Sequence, residues 1–369
     1  MHTILDLLLL PFLVWLSAWR LLGDRNGWLA LANAWAWWLL GGAIPAGATA
    51  LWPRSRLAAL AWGAGLGALW LREYGWTLPL GDEGREWARM DGMGADLETD
   101  VGLSRQRSMR RDVTTFSLLT FNLLNDRQDL TPVIELAARE APDLLLFQEC
   151  IESHAAQLEN GLASCYPHRL WLPASEFGMG FGVAARLPFA LTGYWQYPGF
   201  EPFAARVTLS PHHPPIPASP LDVYCVQFIS PTNEVRRVGP TGLLHLRQRQ
   251  IDWVLGEIGR RQNAALVAGD WNTTEGTGAY RRAVSDLVDG WREAGRGPGW
   301  SWPHSLPPFV RRSTPPLLRL DYLMHTGRRF AADVAVTEIR VVRDDLGSDH
   351  CPLLARLELD QISTDRFRS

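Results

Sequence analysis

The sequence predicts a layered α/β or α+β domain preceded by about three membrane-spanning helices. Three observations lead there. Of 369 residues, 47% are apolar and 18 are Trp, and the N-terminal part holds much of that excess. Beyond Asp112, short β-branched or apolar runs alternate with amphipathic helical stretches, the pattern of layered domains. Several of those runs end in polar residues, most clearly Ala264–Asn272, where an apolar strand meets Gly269 and then presents Asp270 and Asn272. Residues i and i+2 of an extended chain share a side, so this carboxylate and carboxamide can face one small site. The length suggests two units: a membrane anchor over 1–80 and, after a charged linker over 81–112, a globular domain over 113–369.

Ile4 to Leu22 is nearly all Leu, Val, Phe, Trp and Ala. Roughly 19 residues rising about 1.5 Å each cross a hydrocarbon core of about 30 Å, so this is a first span. Trp28 to Leu51 is a second, with Gly41, Gly42, Pro45 and Gly47 of the kind spanning helices tolerate. Leu57 to Leu71 is a third and shorter one, cut by Arg72 and Glu73, for which a helix lying in the interface is the alternative. Trp62, Trp70 and Trp76 suit a headgroup layer. A cleaved signal peptide is disfavoured because no basic n-region and no small-x-small site precede the second run. Arg20 and Arg25 in the first connection and Arg72, Arg85 and Arg89 after the third span, the last group diluted by acids, outnumber Arg54 and Arg56 in the second connection and mildly favour a cytoplasmic C-terminus. The stretch from Gly81 to Arg111 lacks periodicity, and its basic run Arg105–Arg111 suits anionic headgroups.

The net charge of −3 excludes little. No Lys occurs, which removes Schiff-base chemistry and the Lys-containing phosphate loop. Cys150, Cys165, Cys225 and Cys351 form no Cys-x-x-Cys pair and read as small buried hydrophobes rather than a thiol or zinc site.

Within the domain, Thr114–Phe121 is a strand ending at Asn122, and Pro132–Glu140 is a helix with Pro at its first turn. Asp143–Gln148 is a buried strand ending at Glu149. Gly178–Pro188 is a strand with small residues where another backbone approaches, Leu221–Ile229 a further strand and His245–Ile258 a helix. Arg319–Met324 is a strand carrying one acid, Asp321, and Gly347–Leu353 leads into a closing strand at Leu354–Leu359. An unpaired charge inside an apolar strand costs several kcal/mol, so Asp321 needs a partner. His350 is the natural one, because Asp349 beside it then points the other way, toward a cation.

Thr120-Phe121-Asn122, Gln148-Glu149, Gly269-Asp270-Trp271-Asn272, Leu320-Asp321-Tyr322 and Ser348-Asp349-His350 together resemble the signature of the endonuclease/exonuclease/phosphatase superfamily. The resemblance spans about Val113 to Leu359. It implies a four-layered sandwich, the DNase I-like fold, in which two packed sheets are flanked by helices. It also implies a divalent-metal phosphoesterase site. Glu149 would be the principal ligand for Mg²⁺ or Mn²⁺, with Asn122 and Asp349 near the ion. Asp270 and Asn272 would position and deprotonate the attacking water, and His350, oriented by Asp321, would donate to a non-bridging oxygen. Many members carry a His in the strand before the helix that precedes Gly-Asp-x-Asn; here Gln227 stands there, able to bind phosphate but not to give up a proton. Bound water or His245 would then protonate the leaving group, and Asn233 is a further phosphate contact.

For substrate, the 25 Arg against 28 Asp plus Glu from Val113 onward give no basic bias toward nucleic acid. The apolar N-terminus favours a lipid-linked or membrane-surface phosphate, and resemblance to membrane-anchored bacterial members would turn the domain outward, against the Arg count. A magnesium-dependent nuclease is the first alternative; a membrane-tethered binding protein without turnover is the second. No protein partner is inferable.

Overall fold

The computed structural model describes residues 2–53, 55–78, 114–126, 129–174, 178–210, 220–304, 315–330, 332–344 and 346–361. The expected linker with its basic run, and the side chains of Trp76 and Asn233, lie outside the described residues.

From Thr114 onward the chain builds two six-stranded sheets. One holds β1 (Thr114–Asn122), β2 (Leu144–Gln148), β3 (His168–Leu172), β4 (Phe181–Ala185), β11 (Ala332–Val341) and β12 (Leu353–Gln361), in the order β11-β12-β1-β2-β4-β3. The other holds β5 (Phe189–Gln196), β6 (Pro202–Leu209), β7 (Leu221–Gln227), β8 (Ala264–Asp270), β9 (Val288–Asp289) and β10 (Asp321–His325), in the order β5-β6-β7-β8-β10-β9. Each sheet is mixed, with a parallel pair at its centre, β1 with β2 and β7 with β8.

The two-residue period of the strands explains the layers. Phe116 and Leu118 of β1 enter the core between the sheets, while Leu119 and Phe121 face the helices Thr131–Glu140 and Glu152–Leu162. Leu266 and Ala268 of β8 enter the same inter-sheet core. Ala265 and Val267 lie under Gly278–Val284 and under Pro231–Arg261, which is kinked at Gly239. Helix, sheet, sheet and helix are thus four layers, as the resemblance implies.

The same alternation places the polar strand ends. Asn122 has the parity of Leu118, Gln148 of Leu146, Gln227 of Cys225, Asp270 of Ala268 and Asp321 of Leu323, all inter-sheet residues. Asn122 lies beside Gln148 in the ladder, Gln227 beside Asp270, and Asp270 beside Asp321. They gather at one edge, where the two sheets part.

The N-terminal region corrects an expectation. It forms α1 (His2–Leu22), α2 (Gly27–Asn33), α3 (Ala36–Leu51) and α4 (Arg56–Tyr74). Among the described residues no single helix is long and apolar enough to cross a membrane; α2 and α3 pass on length and composition only as a pair bent by 66°. The second expected span breaks because Asn33 stands in its path. Its side chain donates to Asp24 at 2.6 Å and accepts from the Trp15 indole at 3.1 Å, while Thr274 Oγ1 donates to the Ala34 carbonyl at 3.0 Å. Further bonds fasten this bend to the domain: Trp19 Nε1 donates to the Gly276 carbonyl at 3.2 Å, Trp38 Nε1 to the Leu317 carbonyl at 2.8 Å, and the Gly278 N–H to the Asp24 carboxylate. The approach is close enough that a Cβ at Gly276 would come within 2.1 Å of the Asn33 carbonyl oxygen. Elsewhere the helices leave Leu21, Trp28, Leu57 and Leu60 exposed.

Beneath this contact sits a buried ion cluster. Arg319, 1% exposed, donates from Nη2 and Nη1 to Asp289 at 2.6 and 3.1 Å and from Nε to Glu275 at 2.6 Å. Removing one member leaves charges uncompensated, so Arg319→Ala is expected to cost about 3–5 kcal/mol. Denaturant unfolding of the full chain measures this, and a loss under about 1 kcal/mol would show that the cluster relaxes to water.

Candidate active site

Local backbone geometry aims the site residues. Gly269 adopts a φ of 142°, and a Cβ there would lie 2.0 Å from the Val226 carbonyl oxygen, so glycine alone lets β8 run tight against β7 just before Asp270. Glu149 and Asn272, at φ of 56° and 48°, turn the chain in the left-handed region directly after β2 and β8. Non-glycine residues bear such geometry at a cost of about 1–3 kcal/mol, and they do so mainly at sites of function.

Asp270 is buried and heavily coordinated. Its Oδ1 accepts from the Asn272 N–H at 2.8 Å, and its Oδ2 accepts from Asn272 Nδ2 at 2.8 Å and Asn122 Nδ2 at 3.2 Å. Asn272 Nδ2 also donates to the Phe228 carbonyl at 2.9 Å, which fixes the amide. Burial pushes the Asp270 carboxyl up, His350 pulls against it, and Asp321 and Glu149 push it further. A carboxylate kept from its preferred acidity in this way is a better proton acceptor.

His350 Nδ1 donates to Asp321 Oδ2 at 2.8 Å, and its Nε2 stands 3.8 Å from Asp270 Oδ2. Burial opposes the charged ring, but Asp321 and Asp270 outweigh it and hold the imidazole well above its ordinary value. The ring stands between two carboxylates that favour its protonated form. Ser348 braces it: its hydroxyl donates to the Asn122 carbonyl at 2.8 Å and accepts from the His350 N–H at 3.1 Å.

Glu149 forms the third corner. Its Oε1 accepts from Asn122 Nδ2 at 3.0 Å and Gln227 Nε2 at 2.8 Å, and its Oε2 accepts from the Asn125 N–H at 3.0 Å. Asp349 accepts from Trp302 Nε1 at 2.9 Å. Glu149, Asp270, Asn272, Asp349 and His350 all line one cleft of 340 Å³.

All of the sequence-predicted catalytic and metal residues thus meet here. Asn122 turns its amide nitrogen to two carboxylates, while its oxygen accepts from the Leu124 N–H at 3.0 Å. Gln227 donates to Glu149 and keeps a buried Oε1 without a hydrogen-bond partner among the described residues. His245 is exposed and does not line the cleft. Sequence reasoning missed Ser348 as a brace, Trp302, and the contribution of α2, since each depends on a contact between distant segments. A polar Asn33 inside an apolar run was the one signal for the last.

Two groups could hold a cation. Asp270, Asp321 and His350 have ligand atoms within 4.8 Å of one another. Glu149 and Asp349, with the orphaned Gln227 oxygen beside Glu149, supply the hard oxygens that Mg²⁺ or Mn²⁺ takes. By donor chemistry these oxygens suit such an ion.

A family model described as the Endonuclease/Exonuclease/phosphatase family matches residues 119–350. No curated protein matches significantly. Among solved structures, a humanized D. rerio TDP2 carrying 14 mutations is similar, with a TM-score of 0.51 at 17% identity over 66% of this chain and 98% of that one. D. rerio TDP2 complexed with single strand DNA product gives the same values. An endonuclease/exonuclease/phosphatase family protein from Bacteroides thetaiotaomicron has a TM-score of 0.50 at 13% identity, over 67% and 98% of the two chains. At such identities the likeness concerns the fold.

Proposed function

The chain belongs to the endonuclease/exonuclease/phosphatase family and is a hydrolase of phosphate esters; we propose that it works with a divalent cation on a lipid-linked or membrane-surface ester. The observation that carries this reading is the convergence of Glu149, Asp349, Asp270, Asn272 and His350 on one cleft. Glu149 and Asp349 would hold Mg²⁺ or Mn²⁺, with Asn122 tying Glu149 to Asp270. When bound, the cation supplies Lewis-acid polarisation of a phosphoryl oxygen.

The chain's own residues do the rest. Asp270 takes the proton of the attacking water, and Asn272, pinned by Phe228, holds that carboxylate in line. The His350 imidazolium, fixed by Asp321, donates to a non-bridging oxygen as charge develops. Gln227 orients Glu149 rather than protonating a leaving group. No covalent intermediate is needed.

Exposed Leu21, Trp28, Leu57 and Leu60 on the N-terminal helices support association with a bilayer. On this reading the domain would work at a cell membrane, on its extracytoplasmic side. The test uses the full chain, with Mg²⁺ or EDTA, on a polyprenyl phosphate, a polyprenyl diphosphate, sphingomyelin and plasmid DNA. Metal-dependent turnover of a lipid alone is expected; cleavage of DNA alone would replace the lipid with nucleic acid, and silence throughout would leave a binding protein.

A further inference from the structure

The cleft has a second side that the chemistry does not use. Beside the polar residues it is lined by Ala30 and Leu31 of α2, by Ala34 and Trp35 of the bend, and by Leu243 and Leu244 of Pro231–Arg261. These apolar residues line the same cleft as Asp270 and His350, so one ligand can meet both.

We propose that the bend around α2 is the specificity wall of the cleft and receives the apolar arm of an amphiphilic phosphate ester whose phosphorus sits at Asp270 and His350. The inference rests on the hydrolase reading above and gives the N-terminal helices a part in choosing the substrate.

Three features favour this occupant. The wall is held in place by bonds from the domain: Thr274 to Ala34, Gly278 to Asp24 and Trp19 to Gly276, with Gly27 packed so closely on Pro240 that a Cβ would lie 2.1 Å from its carbonyl carbon. A surface this tightly positioned is preorganised. Trp35 is 39% exposed and Leu31 partly so, and both border the cleft, which leaves apolar area for a ligand to cover. Among the described residues lining the cleft the one guanidinium is Arg247, and it is buried with Nε and Nη2 both donating to the Ile229 carbonyl, at 3.2 and 2.8 Å. A nucleic acid strand needs several phosphate-neutralising cations along its track, and the described residues lining this cleft do not offer them.

The experiment measures binding of methyl-, butyl-, octyl- and dodecylphosphonate to the full chain by calorimetry, each below its aggregation limit, together with Leu31→Ala and Trp35→Ala. Affinity is expected to climb with chain length, approaching about fourfold per methylene until the wall is covered. Each variant is expected to lose about tenfold on octylphosphonate with methylphosphonate binding unchanged. A flat length series, variants that bind like the parent, or equal losses on the methyl and octyl ligands in both variants would overturn the proposal. A second arm presents dodecylphosphonate in phosphatidylcholine vesicles: a variant-sensitive signal there identifies an ester drawn from a bilayer, and a signal confined to the free monomer identifies a soluble amphiphile. Turnover is read separately. Length-dependent binding without metal-dependent hydrolysis would sink the catalytic reading and spare the wall, and hydrolysis without length dependence would do the reverse.

Discussion

Asp270→Ala should lower kcat about 10³–10⁴-fold on whichever phosphate ester the chain turns over. Asp270 accepts from Asn272 twice and from Asn122 once, so its orientation is over-determined, and no other described carboxylate stands within 4 Å of His350 Nε2. Asp270→Asn separates the two duties of the side chain. It preserves an oxygen for the Asn272 N–H yet cannot take a proton, so it should fall nearly as far as the alanine variant. An asparagine variant retaining more than about a tenth of the parent rate would mean that Asp270 orients water without deprotonating it. The same substitution should stabilise. A carboxyl raised by burial makes the folded state bind more protons than the unfolded one, so its charge costs stability as pH rises above the ordinary carboxylate range. In EDTA near neutral pH, Asp270→Asn is therefore expected to raise Tm by about 2–4 °C.

Glu149→Ala is the second large effect. Glu149 is the side chain on which Asn122, Asn125 and Gln227 converge, and such supporting bonds fix a ligand for one purpose. Activity at low Mg²⁺ should fall about 10²–10⁴-fold, and raising Mg²⁺ should recover part of it. Gln227→Leu should shift the Mg²⁺ titration in the same direction by about tenfold, with kcat at saturation less affected. An unchanged Mg²⁺ dependence in both variants would move the cation away from Glu149.

Strand-end chemistry was legible because a strand has only two faces. Once Leu118 and Leu266 are recognised as core, Asn122 and Asp270 must share the inter-sheet side. The Asp321–His350 pair was legible because an acid in an apolar strand demands a cation, and the structure joins the two at 2.8 Å. The three spans were not correctly legible. Hydropathy measures how badly a segment avoids water and is silent on whether lipid or protein replaces it; Asn33 and Ala34 are claimed by Asp24, Trp15 and Thr274, contacts no local pattern encodes. Gln227 illustrates the same limit at the site. The sequence offers its amide to phosphate, whereas its donor goes to Glu149, a partner 78 residues away in the chain.

The bond between Asp24 and the Gly278 N–H joins residues 254 positions apart. At roughly 5–20 residues per second, a ribosome that has made the first of them needs roughly 10–50 s to make the second. Strand β1 waits almost as long for β12, since Thr114 pairs with Leu359. The apolar bend that borders the cleft is therefore made long before the segments that seat it. During that interval its company is something other than the domain it will cover.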